Sequence, residues 1–148
     1  DASEERLWQA LSLACFAEDI KRMPEGLETL VGEKGVSLSG GQKQRLSLAR
    51  AFLRRSDVLL LDDALSAVDA KTEQTIIANL KAMTDAPTSI IVTHRLSAIT
   101  DADQVIVLED GHVIQRGTHQ ELIAVPGWYQ EQYYHQQLKE DDQDVLND

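Results

Sequence analysis

The sequence is poor in several features that define whole classes of protein. It contains one cysteine, Cys15, which excludes a disulfide framework within the chain and is typical of a reducing compartment. Its apolar runs, such as residues 58–61, are far shorter than the ~20 residues that a membrane-spanning helix needs. The acidic opening, residues 1–5, has no apolar core, so we expect no secretory signal peptide.

Basic residues are also scarce. The 14 Lys and Arg are outnumbered by 25 Asp and Glu, which gives a formal net charge of −11 and argues against a nucleic-acid partner. Part of this charge lies in residues 140–148, which hold no base and which we expect to be a disordered tail. The length of 148 residues and the 43% hydrophobic content fit one globular domain with its own core.

The most informative stretch is Leu38-Ser39-Gly40-Gly41-Gln42-Lys43-Gln44-Arg45. Ser39 and Gln42 have the spacing of a capping box, which predicts that a helix begins here and continues to Phe52. Two glycines in a first turn cost roughly 1 kcal/mol each, so we expect another group to approach the backbone closely. Free N–H groups at a helix start suit a phosphate. The alternative is a glycine-rich turn that leads into a surface helix.

The remaining chain alternates apolar runs with helical patterns. Residues 57–62 and 88–93 predict strands buried on both faces, residues 70–83 predict a helix, and Gln104–Leu108 predicts a third strand. The Asp110-Gly111 pair predicts a hairpin turn. We therefore expect a parallel α/β sheet with a late antiparallel hairpin and a separate helical part at the N-terminus.

Polar residues follow the predicted strands. Asp62 ends the first predicted strand, Asp63 comes directly after it, and His94 follows the second strand, so all three should converge where ligands bind in such sheets. Asp62 has the place of a residue that holds the water shell of Mg²⁺, and Asp63 that of a water-activating base. Alternatively, the aspartates cap a helix and His94 is structural. In the loop Ser66–Asp69, Asp69 either caps the next helix or reaches a neighbouring subunit.

Together these motifs resemble the nucleotide-binding domain of ATP-binding cassette (ABC) transporters. Leu38–Gln42 resembles the signature motif, Val58–Asp62 the Walker B strand, Ser66–Asp69 the D-loop, and His94 the switch histidine. Residues 29–35 resemble the X-loop of exporters, which places Glu33 where the family meets the coupling helices of its membrane domain.

The resemblance implies specific roles for these residues. Four of them would face the γ-phosphate of an ATP held by the opposite subunit, namely Ser39, Gly40, Gly41 and Gln42. Asp62 would assist Mg²⁺, Asp69 would communicate across the dimer, and His94 would sense the γ-phosphate. ATP and Mg²⁺ are thus the implied cofactors.

Two departures from the family pattern refine this interpretation. Asp63 stands where most members have glutamate, and displacing a base by ~1 Å can cost on the order of 10²-fold in rate. We therefore expect a slow, degenerate site and a second half-transporter as partner, as in bacterial heterodimeric multidrug exporters. The chain also has no Gly-x-x-x-x-Gly-Lys-[Ser/Thr] motif.

The missing P-loop indicates the C-terminal part of a P-loop NTPase domain, with the transmembrane domain absent from this chain. Such a fragment should not hydrolyse ATP alone, although the full-length ATPase should do so at the cytoplasmic face of the membrane. We divide the chain into 1–54 (helical, X-loop and signature), 55–125 (α/β core) and 126–148 (terminal helix and tail). The alternatives are a DNA-maintenance ATPase of the same superfamily, which the acidic charge and Glu33 disfavour, and a non-catalytic module.

Overall fold

The structure is a computed structural model that describes residues 2–32 and 34–145. The helices of this part are α1 (Glu4–Leu13), α2 (Ala17–Lys21), α3 (Gly40–Leu53), α4 (Ala70–Lys81), α5 (His119–Ile123) and α6 (Trp128–Val145). The strands are β1 (Val58–Asp62), β2 (Thr88–Val92), β3 (Val105–Glu109) and β4 (His112–Gly117), and short 3₁₀ helices lie at Gly26–Glu28 and Leu96–Ile99. The predicted α/β class is therefore confirmed.

Contacts within the chain divide it into two compact units, Asp1–Thr93 and His94–Asp148. This division differs from the segments 1–54, 55–125 and 126–148, which follow the motifs and not the packing. Helix α1 contacts both α3 and α4, so elements from either side of residue 54 share one unit. The three segments stay a prediction about function.

The first unit is built on two helices whose starts the sequence specifies. The Ser3 side chain caps α1 by accepting a hydrogen bond from the Arg6 amide at 3.4 Å, and Ser39 caps α3. Helix α1 packs against α3. Burying a large apolar side chain contributes about 1.5–3 kcal/mol, and the buried side chains of this unit include Leu11, Phe16, Ile20, Leu48, Phe52, Ile76 and Leu80.

Strands β1 and β2 form the parallel pair that the sequence predicts, with α4 between them in the chain. The register places Val58 beside Thr88 and Asp62 beside Val92. Both strands end at the same edge, so the chain that follows each one leaves the sheet on the same side. This arrangement places Asp62 and Asp63 at the carboxyl edge of the pair.

One face of this parallel pair is uncovered. Leu59 and Leu61 are buried, whereas Val58 and Leu60 are 57% and 63% exposed. Strand β2 has no fully buried residue, so within the described residues the prediction that both strands are buried on both faces is wrong. Side chains alternate along a strand, and no described element covers the second side. We call this side the open face, and its apolar members are Val58, Leu60, Ile90 and Val92.

The second unit contains the predicted hairpin. Asp110 and Gly111 form its turn with φ values of +48° and +76°, which aspartate and glycine adopt at low cost. The predicted third strand is present, but in the described residues it pairs only with β4, so it belongs to the hairpin and not to the parallel pair. The core of this unit consists of Leu96, Val105, Val107, Leu122 and Tyr129.

Helix α6 is longer than the sequence predicts. It runs from Trp128 to Val145, so residues 140–145, which we expected to be disordered, are helical. Adding a residue to an existing helix is much easier than starting one, and this stretch contains no glycine or proline. Residues 146–148, the end of the predicted tail, lie outside the described part of the chain.

Candidate functional site

The start of α3 is a capped helix N-terminus. The Ser39 hydroxyl accepts a hydrogen bond from the Gln42 amide at 3.2 Å, and the Gln42 side-chain oxygen accepts one from the Ser39 amide at 2.9 Å. This confirms the predicted capping box. Ser39 and Gly40 are exposed, so the first turn presents backbone N–H groups and the positive end of the helix dipole to its surroundings.

A partly buried polar contact holds Gln42 in place. Its amide nitrogen donates to an Asp19 carboxylate oxygen at 2.8 Å, and the other oxygen of Asp19 pairs with Arg45 at 2.7 Å. Partial burial acts to raise the pKa of Asp19, but the hydrogen bonds from Gln42 and Arg45 outweigh it and hold that pKa below its usual value. Arg45 also donates to the Cys15 carbonyl and lies over the Phe16 ring. The helix start is thereby fixed to α2.

The group that approaches Gly41 belongs to the chain itself. A Cβ atom placed on Gly41 would lie 2.6 Å from the Ala67 carbonyl oxygen, which is closer than real Cβ contacts allow. A Cβ atom on Gly40 would lie 3.4 Å from the Ala67 Cβ, which is ordinary contact. The close approach predicted from the two glycines is therefore, at Gly41, a contact within the chain itself.

Gln44, on α3, bonds to the loop that contains Ala67, and no pattern in the sequence singled it out. Its side-chain nitrogen donates to the Ser66 hydroxyl at 3.0 Å, and its oxygen accepts from the Ala67 amide at 2.8 Å. We call Asp63–Asp69 the 63–69 loop. The contact of Gly41 with Ala67 and the bonds of Gln44 attach this loop directly to the signature helix.

Asp62 and Asp63 occupy the carboxyl end of β1 with exposed side chains. Asp63 has a left-handed backbone, with φ of +49°, a region in which aspartate is tolerated better than most residues. Its amide donates to the Val92 carbonyl at 3.1 Å, and its own carbonyl accepts from the Ser66 hydroxyl at 3.1 Å. The backbone of Asp63 is therefore fixed, while its carboxylate is available at the sheet edge.

Asp69 caps α4. Its carboxylate accepts a hydrogen bond from the Thr72 amide at 2.9 Å, and this bond lowers the pKa of Asp69 below its usual value. The capping alternative is thus confirmed for this aspartate. A role across a dimer is compatible with it, because the residue is also exposed.

Two predicted site residues, His94 and Glu33, remain to be described. His94 is exposed and begins the second unit, and its backbone carbonyl accepts a hydrogen bond from Gln136 at 2.8 Å. Glu33 lies outside the described residues. The roles assigned to Ser39, Gly40, Gly41 and Gln42, and to Asp62, Asp63, Asp69 and His94, remain predictions.

The residues available for Mg²⁺ fit a site that a nucleotide would complete. Among the described residues, no three histidine, cysteine, aspartate or glutamate side chains are arranged to hold a metal ion. Mg²⁺ is commonly held by one or two carboxylates with waters and phosphate oxygens, and Asp62 supplies one exposed carboxylate at the edge of the sheet. Within this same part of the chain, no helix combines the length and apolar composition needed to cross a membrane.

Comparison with known proteins identifies the family. The ABC transporter family profile matches residues 5–66. The chain is 54% identical over 138 residues to the probable multidrug resistance ABC transporter ATP-binding/permease protein YheI of Bacillus subtilis (strain 168), covering 93% of the chain and 24% of that protein. It is 50% identical over 121 residues to the ATP-dependent lipid A-core flippase of Photobacterium profundum, covering 82% and 21%.

A solved structure agrees with these relatives. A bacterial Atm1-family ABC exporter with ATP bound superposes with a TM-score of 0.83 at 40% identity, over 92% of this chain and 24% of that one. The chain spans about a quarter of the length of the relatives it matches. Fold, motif order and relatives agree, and the chain belongs to the ATP-binding domains of ABC transporters, with relatives among the bacterial exporters.

Proposed function

We propose that this chain is the signature-bearing half of the ATP-binding domain of an ATP-driven exporter. The observation that carries the proposal is the exposed, capped start of α3, where the first-turn N–H groups outside the capping box and the positive end of the helix dipole suit the γ-phosphate of a nucleotide bound mainly by another subunit. The Asp19–Arg45 ion pair supports the proposal, because Asp19 also accepts a hydrogen bond from the Gln42 side chain and so holds the helix start in place. Hydrogen-bond donors that are held rigid in advance stabilise phosphate charge without reorganising. The 148 residues contain no P-loop motif to hold that nucleotide themselves.

Within the assembled transporter each exposed polar residue takes one task. Asp62 would hold Mg²⁺ through its water shell, with the metal supplying charge neutralisation for the phosphates when bound. Asp63 would accept a proton from the attacking water, and His94 would contact the γ-phosphate. Asp69 would reach the opposite subunit, and Glu33 would meet the membrane domain at the cytoplasmic face of the membrane.

The shortened acid supports a heterodimer. Asp63 ends one methylene earlier than the glutamate usual in the family, and its backbone is fixed by the bonds to Val92 and Ser66, so the loop is poorly placed to shift and compensate. The chain's own site would be slow, whereas its intact signature would complete an efficient site on a partner half-transporter. The relatives named for multidrug resistance and for lipid A-core flipping support an amphipathic or lipid-like cargo.

The test is a pair of variants at Gly40 in the full-length transporter that carries this sequence. Gly40→Asp places a carboxylate in the first helical turn, where the dipole favours it, but it repels phosphate. We expect ATP turnover to fall about 10²-fold, the usual cost of spoiling a charge-stabilising array. Gly40→Ala is the matched control, because the structure has room for a methyl group there. Equal turnover in both variants would contradict the proposal.

A second variant tests the slow site. Asp63→Asn removes the carboxylate from the chain's own site and leaves the signature turn untouched. We expect a much smaller loss of ATP turnover than with Gly40→Asp. If Asp63→Asn is equally damaging, then Asp63 is an efficient base and the heterodimer assignment is wrong.

A further inference from the structure

The side chain of Gln136 on α6 forms hydrogen bonds with the backbone of the segment His94–Leu96. Its side-chain nitrogen donates to the His94 carbonyl at 2.8 Å, and its side-chain oxygen accepts from the Leu96 amide at 2.9 Å. The nitrogen and the oxygen of one side-chain amide thus bond to the two residues that flank Arg95. A single side chain therefore fixes the backbone at the point where the second unit begins.

The bond from the Leu96 amide to Gln136 satisfies the first amide of the 3₁₀ helix Leu96–Ile99. The first amides of a helix have no partner within it, and the residue before this helix, Arg95, makes no side-chain capping bond. Gln136 supplies the missing acceptor from another element. Leu96 itself is buried in the core beside Tyr129, whereas His94 is exposed. The segment His94–Leu96 is therefore anchored at its Leu96 end.

We propose that Gln136 is a positioning residue for His94, setting the backbone from which the imidazole reaches the γ-phosphate. This rests on the role of His94 in the proposed function. Because displacing a reacting group by ~1 Å costs on the order of 10²-fold in rate, loosening this segment lowers the catalytic rate more than nucleotide affinity. The terminal helix thereby becomes part of the ATP-hydrolysing machinery without touching the nucleotide.

The experiment is a double-mutant cycle on ATP hydrolysis by the full-length transporter, with kcat and KM measured separately. Gln136→Met removes both bonds, and we expect kcat to fall about tenfold or more with KM for ATP little changed. Gln136→Glu keeps the acceptor for Leu96 and loses the donor to His94, so it should give a similar fall with the helix still capped. Gln132→Met, one turn earlier on α6, is the matched control and should leave kcat unchanged.

The cycle separates positioning from a general loss of structure. In a His94→Ala background, Gln136→Met and Gln136→Glu should cause no further loss, because a positioning effect has nothing left to position. Multiplicative losses in the double variants, or normal kcat in Gln136→Glu, would overturn the proposal. If His94→Ala itself hydrolyses ATP normally, then the assigned role of His94 in the proposed function fails, and the inference about Gln136 fails with it.

Discussion

Gly40 and Gly41 are neighbours in one helical turn with different structural requirements. Only at Gly41 does the chain's own backbone, the Ala67 carbonyl, occupy the space that a side chain would take. The phosphate-binding interpretation therefore cannot be tested by substituting Gly41, since any change there also displaces the 63–69 loop.

We predict that Gly41→Ala destabilises the 148-residue chain by about 1–3 kcal/mol, the usual cost of forcing extra atoms into a packed site. Gly40→Ala should be neutral, or stabilising by up to about 1 kcal/mol, because alanine favours the helix and no close contact results. Urea unfolding of the two variants measures both values. Equal stability would mean that Ala67 moves aside at little cost.

Asp19 is the carboxylate behind the signature turn, and its lowered pKa has a consequence for stability. We predict that Asp19→Asn costs about 1–2 kcal/mol near neutral pH, because the charged hydrogen bonds from Arg45 and Gln42 are weakened. A group whose folded pKa is depressed stabilises the fold above its unfolded pKa of about 3.9, and that contribution disappears as pH falls through the folded value.

The difference in unfolding free energy between wild type and Asp19→Asn should therefore be constant from about pH 7 to about pH 5 and shrink below about pH 4. Denaturant titrations at a series of pH values measure it. Asp85→Asn, at an exposed aspartate, is the control and should give a small difference. A difference that persists unchanged at about pH 2, below the unfolded pKa, would show that the ion pair is not its source.

Helix α4 begins after Asp69, which the family resemblance places at the dimer interface. Asparagine caps helices as well as aspartate does, whereas alanine does not. We predict that Asp69→Asn changes the unfolding free energy by less than about 0.5 kcal/mol and that Asp69→Ala costs about 1 kcal/mol. In the full-length transporter both should slow ATP turnover if the charge acts across the dimer. Normal turnover in Asp69→Asn would leave Asp69 as a helix cap alone.

The helices were the most predictable elements, and their caps explain why. Ser39 with Gln42 and Thr118 with Glu121 are complete capping boxes, each formed by residues three positions apart, so the sequence contains the whole interaction. The strands were predictable as strands, but the burial of their faces was not. Apolar runs such as residues 58–61 are the same whether the second face is covered or open.

Contacts across long separations in the chain could not be predicted at all. Gln44 meets Ser66 across 22 residues and Gln136 meets His94 across 42. Glutamine carries both a donor and an acceptor, so its partners depend on the fold and leave no periodic pattern in the sequence. The candidate site residues could be proposed from their motifs, whereas the residues that contact them could be identified only in the structure.

The open face of the parallel pair governs how the isolated chain should behave. We predict that Leu60→Thr, at an exposed position on this face, reduces self-association and binding of a hydrophobic dye while changing stability by less than about 0.5 kcal/mol. Leu61→Thr, the adjacent buried position, should cost about 2–4 kcal/mol. Light scattering, dye fluorescence and urea unfolding measure the three effects. If self-association is unchanged in Leu60→Thr, then a surface other than the open face is responsible for it.

The attachment of the 63–69 loop to α3 has a thermodynamic consequence for ligand binding. If the signature turn serves a nucleotide on one side and Asp63 a nucleotide on the other, then Gly41, Ala67 and Gln44 join two ligand sites through a few short contacts. Any free energy by which filling one site alters the other must be equal in both directions. If two sites are coupled in this way, occupancy of either site changes the affinity of the other by the same factor.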